Sequence, residues 1–487
     1  MNLIVIPALR VDKYKSRNVH IPFPIAMTRK YIGYDPNQSF LISPNPREWL
    51  PEGHLALFIS DTVDDFDLSS IHAFYDKAEA GAPPFHPAMM VKILLYAYCK
   101  GIPGSRRIAT AVEEDIAFRV LGAGNTPDFR TLCQFRRIHI EPLKAIFKQV
   151  IKLCQNAGMV KLDVAAADGT KMKGNASLSK SKKKDALEEE DARLEKEIND
   201  ALADGIKADE EEDLKYGADK RGDEPPEFLR NAKKRRAFIR EGLARLAREA
   251  KEEAEAQEKK IEARQQKEKE TGMKLRGRKP KSPDSMVDYD KKANTTDPDS
   301  RIMKTRSGFI QGYNGQAVVD CGSQVIVAQA ITTDENDVHQ LAPMLNEVRH
   351  MTGSLPDMAT LDAGYWSEKG VLEAPPGVEL FIATKKDWKQ RKALQELPAP
   401  RGRIPALATL RDRMERKLLT KRGRKIYKMR GKTVEPVFGQ VKDGRHLDRF
   451  LLRGKEKVSL EWSLICTTHN ILKLWRHERE RWKSEAS

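Results

Sequence analysis

The segment ATLDAGYWSEKG, residues 359–370, joins a short apolar run to an aspartate. Met358 to Leu361 is the apolar run, and its length and composition are typical of a buried strand. Asp362 follows directly, and Gly364 permits a sharp turn after it. The segment therefore predicts a carboxylate at the end of a buried strand.

A second segment, AAADGTKMKGNAS at residues 165–177, has the same arrangement. Leu162 to Ala167 predicts another strand, and it ends at Asp168. An aspartate at a strand end is commonly a cap or turn residue. Strand ends are also where open α/β sheets place their chemistry. Both interpretations stay open for each aspartate taken alone.

The surrounding sequence predicts an α/β domain. Residues 336–350 have helical periodicity, and Gly322 with Ser323 favours a hairpin turn between two strands. The predicted strands are Leu162 to Ala167, Phe309 to Val319, Gln324 to Ile331, Met358 to Leu361 and Val378 to Ala383. We therefore expect a mixed five-stranded sheet with helices.

Positive charge is concentrated in the last fifth of the chain. The 487 residues include 87 Lys and Arg against 71 Asp and Glu, a net charge of +16. Residues 381–487 hold 29 basic and 12 acidic residues, a net of +17, and so contain the whole excess. Within them, IYKMRGKTVEPVFGQVK (residues 426–442) places Glu435 in a predicted basic helix. Such an excess indicates a polyanionic partner such as nucleic acid, or simply a soluble protein with a basic surface.

Residues 181–270 are balanced in charge and predict long helices. They contain 23 basic and 27 acidic residues and are rich in helix-forming types. Pro225 and Pro226 divide the segment, which favours a solvated helical hairpin. The alternative is a partner-binding coiled coil, although no sustained heptad is present. The following loop contains RGRKPK (residues 276–281), which is either a basic linker or an arm for the DNA minor groove.

Residues 84–158 predict a unit of several helices. Pro87 marks the start of one helix, and Ser105 is the predicted cap of another. A later helix carries Arg136 and Arg137 beside apolar positions, which is typical of a helix–turn–helix that contacts DNA. The alternative is an ordinary helical bundle with a solvated basic face.

Several other functions are disfavoured. The apolar start, Met1 to Leu9, is too short for a signal peptide or a membrane span, which favours the cytoplasm. GKT at residues 431–433 lacks the glycine that a phosphate loop needs at position 426, so we expect no ATP. The scattered cysteines form no zinc-site pattern. A metal site would therefore use carboxylates, which suit Mg²⁺ or Mn²⁺.

Seven segments, in this order along the chain, carry a resemblance to a known family. They are HPAMMVKILLYAYCKGI (86–102), DGTKMKGNAS (168–177), TDPDSRIMK (296–304), GFIQGYNGQAVVD (308–320), LDAGYWS (361–367), VEPVFGQVK (434–442) and LEWSLICTTHNILKLW (460–475). Through them, most of residues 40–476 resembles the DDE transposases of bacterial insertion sequences. The resemblance implies an InsH-like helical N-terminal domain and an RNase H-like catalytic domain.

The resemblance implies that Asp168, Asp362 and Glu435 are the catalytic residues and bind two divalent metal ions, Mg²⁺ or Mn²⁺. Carboxylates would offset the charge of ions that activate the attacking oxygen and stabilise the leaving one. These three residues are the predicted metal site of the chain.

The same family carries a Tyr, Arg, Glu, Lys signature around the third acid. It matches Tyr427, Arg430 and Lys442 here, with Glu435 between the last two. The interval from Arg430 to Glu435 is one residue longer than in the family pattern. The resemblance implies that the three residues contact DNA, whereas the alternative for all three is a solvated basic helix.

The implied organisation has five parts. They are an N-terminal extension (1–50), a helical DNA-binding domain (51–158), a catalytic domain in two pieces (159–177 and 293–478), a charged helical insert (178–292) and a C-terminal tail (479–487). The insert would thus interrupt the catalytic domain soon after its first strand.

The implied function is DNA transposition. The protein would bind terminal inverted repeats, hydrolyse the phosphodiester bond at each transposon end and transfer the freed end to target DNA. It would act as a homodimer on paired ends, at the bacterial nucleoid and away from membranes. Two alternatives remain, a non-transposing RNase H-like nuclease and a catalytically silent DNA-binding repressor.

Overall fold

The structure, a computed structural model, describes residues 45–76, 83–216, 227–274 and 291–485, together with Gly277, Pro280 and Ser282. The predicted N-terminal extension up to residue 44 lies outside the described residues, and so do the four basic residues of RGRKPK.

The fold is built on a mixed β-sheet. The described residues form the strands β1 Val164–Lys173, β2 Ser181–Lys183, β3 Lys292–Asn294, β4 Arg301–Thr305, β5 Gly308–Asp320, β6 Ile326–Thr332, β7 Met358–Leu361 and β8 Glu379–Ile382. The main sheet has the order β4, β5, β1, β7, β8, with β6 paired to β5 as well. Strand β1 is central, antiparallel to β5 and parallel to β7. The predicted α/β, RNase H-like fold is confirmed, and β4 is a sixth strand that the sequence analysis missed.

Strand β1 is longer than predicted. The apolar run ends at Ala167, but the ladder with β5 continues from Asp168 opposite Ala317 to Lys173 opposite Gly312. Lys171 and Lys173 give this half of the strand a polar composition, so the apolar pattern of the sequence does not predict it as a strand. Asp168 therefore lies inside β1 and not at its end.

A bundle of helices precedes the sheet. Its members are α1 Leu55–Asp64, α2 Ser69–Tyr75, α3 Pro87–Cys99, α4 Ser105–Glu114, α5 Ile116–Leu121, α6 Phe129–Ile138 and α7 Ile140–Asn156. Helix α3 begins at Pro87, as predicted. The prediction for Ser105 was wrong by one position, because Gly104 is the N-cap of α4 and Ser105 is its first residue.

The charged segment forms two long helices between β2 and β3. They are α8 Lys184–Tyr216 and α9 Glu227–Thr271, which pack against each other as the predicted hairpin. Leu187, Leu194, Ile239 and Leu246 form a small buried cluster between them. Ion pairs flank this cluster, for example Arg236 to Asp191 at 3.0 Å. Arg245 connects the hairpin to β3 and to the loop after it, because it donates to the carbonyl oxygens of Lys292 and Pro298.

The remaining helices surround the sheet. They are α10 Leu341–Thr352, α11 Glu368–Glu373, α12 Asp387–Glu396, α13 Leu410–Leu419, α14 Lys421–Lys442 and α15 Lys455–Glu485. Helix α14 packs on β1 and β7, whereas α15 packs on β6 and on α3 and α7. Helix α15 thus joins the helical bundle to the sheet, and its buried Trp462 donates to the carbonyl of Gln316 in β5. Within the described ranges, no helix has the length and apolar character needed to cross a membrane.

Candidate active site

Asp168 and Asp362 lie side by side, the first within β1 and the second directly after the neighbouring strand β7. Strands β1 and β7 are parallel, and Ala167 pairs with Leu361, so each aspartate is the next residue of its chain. Asp362 also caps a short turn through the backbone N–H of Gly364, at 2.9 Å. The shared register brings together two carboxylates that are 194 positions apart in the sequence. The pair was predicted from the sequence, and the pairing of β1 with β7 explains why the two carboxylates are close together.

Arg430 of α14 contacts both aspartates. Its Nη2 lies 2.7 Å from Asp168 Oδ2 and 3.9 Å from Asp362 Oδ2. The Arg430 side chain is 8% exposed, so this ion pair is largely shielded from water. Helix α14 therefore contributes a cation to the place where the two strands contribute acids.

The pKa of Asp168 reflects this crowded setting. Burial raises the pKa from its usual 3.8 to about 7, while Arg430 opposes the rise. The negative charges of Asp362 and Asp337 raise the pKa of Asp168 further. A carboxyl that titrates near neutral pH beside other acids is a common property of functional sites.

Glu435 lies one turn further along α14 and pairs with a different arginine. Its Oε1 accepts a hydrogen bond from Arg391 Nη2 of α12 at 2.9 Å, and both side chains are about half exposed. Both residues line a cavity of about 460 Å³. Its wall also contains Leu394, Gln395, Arg424, Tyr427, Lys428, Arg430, Gly431 and Lys432, so it is strongly basic.

The three predicted catalytic acids are not assembled into one cluster. Arg430 occupies the carboxylates of Asp168 and Asp362, while Arg391 holds that of Glu435. In the part of the chain that is described, no group of three Asp, Glu, His or Cys side chains is arranged to hold a metal ion. The structure thus brings two of the three predicted ligands together and places the third on the adjoining cavity.

A further acid at the site, Asp337, was not predicted from the sequence. It precedes α10 and accepts hydrogen bonds from the side-chain amides of Asn314 and Gln316, each at 2.6 Å. Lys171 Nζ lies 4.0 Å from the same carboxylate. Helical periodicity predicted that a helix begins at residue 336, whereas α10 begins at Leu341, so Asp337 lies in a loop that approaches the site.

The predicted DNA contacts on α14 are partly buried. Tyr427 is 6% exposed and lines the basic cavity. Lys442, the last residue of α14, donates from Nζ to the carbonyl of Lys171 at 2.8 Å, and burial lowers the pKa of its ammonium group. Lys442 therefore anchors α14 to β1 in this structure.

The two arginines predicted on the N-terminal bundle have different environments. Arg136 is 3% exposed and donates to the Tyr98 hydroxyl, to the carbonyl of Pro103 and to the Ser105 hydroxyl. This burial leaves Arg136 a structural residue of the bundle and not a DNA contact, in contrast to the prediction. Arg137 is exposed on the same helix, α6.

Two family models match the chain. A model described as transposase domain (DUF772) matches residues 44–137, which include helices α1 to α5 and all but the last residue of α6. A second, described as transposase DDE domain, matches residues 401–475, which include Arg430 and Glu435. No curated protein and no solved structure matches the chain. The two matched domains occur in the order expected from the sequence, and they support the identification of the chain as a DDE transposase of an insertion sequence.

Proposed function

We propose that the protein cleaves DNA at transposon ends and joins the freed 3′ ends to target DNA. The observation that carries this proposal is the pair of partly buried carboxylates, Asp168 in β1 and Asp362 directly after the parallel strand β7, beside a strongly basic cavity. Glu435 on the wall of that cavity is the third proposed catalytic acid. Action on the bacterial nucleoid, in the cytoplasm, follows from a DNA substrate.

The chemistry of the donor set fits divalent cations. Carboxylate oxygens are the ligands that Mg²⁺ and Mn²⁺ prefer. A guanidinium within 4 Å of both Asp168 and Asp362 marks a place of strongly negative potential. We propose that these two residues and Glu435 hold two ions once the arginine contacts open. Such ions activate an attacking oxygen and stabilise a leaving one.

The basic residues next to the acids are proposed to hold the DNA backbone. Lys428, Lys432 and Arg424 line the same cavity as Glu435, so a phosphate there would lie next to the reacting groups. Tyr427 forms part of the wall, and Arg430 and Arg391 gain phosphate as an alternative partner to their carboxylates. We also propose that Lys442, whose ammonium group donates to the carbonyl of Lys171, contacts a phosphate at the end of α14.

The helical bundle is proposed to bind the terminal inverted repeats. Arg106, Arg107, Arg130 and Arg137 are exposed on α4 and α6, which pack against each other. Arg106 and Arg130 lie over the ring of Phe129, at 5.0 and 5.7 Å from its centroid. Stacking on one ring holds two guanidinium groups on one surface, which suits contact with phosphates. Paired ends would be held by a homodimer.

Cleavage of end-labelled DNA tests the catalytic proposal. Asp168→Asn, Asp362→Asn and Glu435→Gln are each expected to reduce Mg²⁺-dependent cleavage to the level without protein. Glu368→Gln is a matched control, since Glu368 is an exposed acid only six residues beyond Asp362. Full activity in any of the first three variants would remove that residue from the triad.

The same assay distinguishes the alternatives. Equal cleavage of DNA with and without the terminal repeats, and no joined product, would indicate a non-transposing nuclease. Binding to the repeats without cleavage in Mg²⁺ or Mn²⁺ would indicate a silent repressor.

A further inference from the structure

Asp337 lies between the two segments that carry the aspartate pair. Its Oδ1 is 2.6 Å from the point where a Cβ would stand at Gly169, the residue after Asp168. Its Oδ2 is 3.3 Å from the corresponding point at Gly364, two residues after Asp362. A side chain at either glycine would therefore meet the Asp337 carboxylate, so both glycines permit its close approach.

Two neutral donors hold this carboxylate. Asn314 and Gln316, both fully buried in β5, donate their side-chain amides to Asp337 Oδ1 at 2.6 Å each. They lie opposite Lys171 and Gly169 in the ladder with β1. Amide donors fix the position of a carboxylate without cancelling its charge. The Asp337 side chain is 15% exposed, so little water screens that charge.

A chain of hydrogen bonds connects Asp337 to the loop of Asp362. The side-chain amide of Gln316 donates from Nε2 to Asp337, and its side-chain oxygen Oε1 accepts a hydrogen bond from the Tyr365 hydroxyl. Tyr365 is fully buried and belongs to the short turn Ala363–Tyr365 that Asp362 caps. The orientation of Gln316, and with it the anchoring of this turn, thus depends on Asp337.

We propose that Asp337 is a positioning residue for the catalytic aspartates. It anchors the Asp362 turn through Gln316 and Tyr365, and its negative charge strengthens the attraction of the Asp168–Asp362 pair for divalent cations. Asp337 acts through its neighbours, in the way that residues behind metal ligands orient and tune those ligands. This inference rests on the proposed function, in which Asp168 and Asp362 bind the ions.

Binding of Mn²⁺ to the full-length protein tests the inference and requires no turnover. It is measured with a short oligonucleotide that occupies the arginines, and the Mn²⁺ bound by the oligonucleotide alone is subtracted. The free Mn²⁺ is measured by electron paramagnetic resonance during titration. Asp337→Asn keeps an oxygen that accepts from both amides but removes the charge, and it is expected to weaken binding by about 10- to 100-fold. Asp334→Asn is the matched control, since it removes the same charge three residues earlier in the chain. Asp334 accepts a hydrogen bond from the side chain of Gln340 at 2.9 Å, and the variant is expected to bind Mn²⁺ as the wild type does.

A second variant tests the anchoring route by itself. Tyr365→Phe removes only the hydroxyl that bonds Gln316, and it is expected to weaken Mn²⁺ binding by a few-fold with an unchanged melting temperature. This variant also decides the question if Asp337→Asn does not fold.

Two results would contradict different parts of the argument. Wild-type Mn²⁺ affinity in Asp337→Asn, together with weakened binding in Asp168→Asn, would overturn the role of Asp337 and leave the proposed function intact. Wild-type affinity in Asp168→Asn and in Asp362→Asn would refute the proposed metal site itself.

Discussion

Replacing Asp168 with Asn should stabilise β1 relative to the wild type. This difference in stability should be larger at neutral pH than at acid pH. Burial raises the pKa of Asp168 from 3.8 to about 7, so the folded protein binds this proton more tightly than the unfolded chain does. The free energy of unfolding of the wild type therefore falls as the pH rises from about 4 to about 7. Asn at this position has no proton to lose, so the variant lacks this decrease.

The magnitude follows from the shift of the pKa. A rise from 3.8 to about 7 is roughly three units. At about 1.4 kcal/mol per unit, it corresponds to about 4 kcal/mol between the two ends of the pH range. The stability gained by Asp168→Asn over the wild type should thus grow by up to about 4 kcal/mol between pH 4 and pH 8, with most of the growth complete by pH 7.

Hydrogen exchange of peptides that cover β1 measures this difference locally. It is taken as variant against wild type at the same pH, without divalent cations, so that intrinsic exchange rates cancel. A difference of 4 kcal/mol is about a thousandfold in protection. If the two proteins keep a constant ratio of protection from pH 5 to pH 8, the Asp168 carboxyl does not titrate in this range and the assigned environment is wrong.

Three other changes are expected to separate structural from functional residues. Gly169→Ala would place a Cβ 2.5 to 2.9 Å from side-chain atoms of Gln316, Asp337 and Asn314, so it should destabilise the protein by about 1–3 kcal/mol in thermal melts. The control Gly439→Ala in α14 should be neutral or stabilising in the same melts. Arg136→Ala should reduce the free energy of unfolding by about 3 kcal/mol, because it removes a buried guanidinium that bonds three acceptors. Arg137→Ala should leave the melting temperature unchanged and weaken binding to terminal-repeat DNA. Equal melting temperatures for the two variants would contradict the burial of Arg136. Arg391→Ala breaks a half-exposed pair with Glu435, so it should change stability by less than about 1 kcal/mol, and a larger loss would show that the pair is structural.

Apolar runs with clear borders were predictable from the sequence. Strand β7 was predicted residue for residue, since Met358 to Leu361 is a short, mostly apolar segment with an aspartate on each side. The hairpin at Gly322 and Ser323 is also confirmed, because β5 and β6 pair antiparallel on either side of it. In such segments local composition and tertiary pairing agree, which is the condition under which sequence patterns succeed.

Elements that depend on a neighbour were not predictable from local composition. The polar half of β1 is a strand because it pairs with β5. The five residues before α10 have a helix-like pattern, but Asp337 among them is drawn towards Asn314 and Gln316. Those partners are more than twenty positions away, so the local sequence carries no sign of the contact. The missed catalytic neighbour therefore lay in the segment where local pattern and tertiary contact disagree.

The location of the basic excess in the C-terminal fifth was predictable from the sequence, but the environment of each basic residue was not. A count of residues places +17 near Glu435, and the basic cavity agrees with that location. The count does not show how the charge is divided between the surface and the interior. Arg430 is held by the aspartates, and Arg445 is buried with its guanidinium bonded to Thr468.

Part of the positive charge therefore stabilises the fold and the acids, and only the remainder faces solvent to attract DNA. The arginines that neutralise the acids in the free protein lie within reach of the cavity, as with Arg430 and Arg391. Exchange of a carboxylate partner for a phosphate would then release the acids in the same step that binds the DNA. The position of the basic residues, more than their number, is what suits this site to a polyanionic substrate.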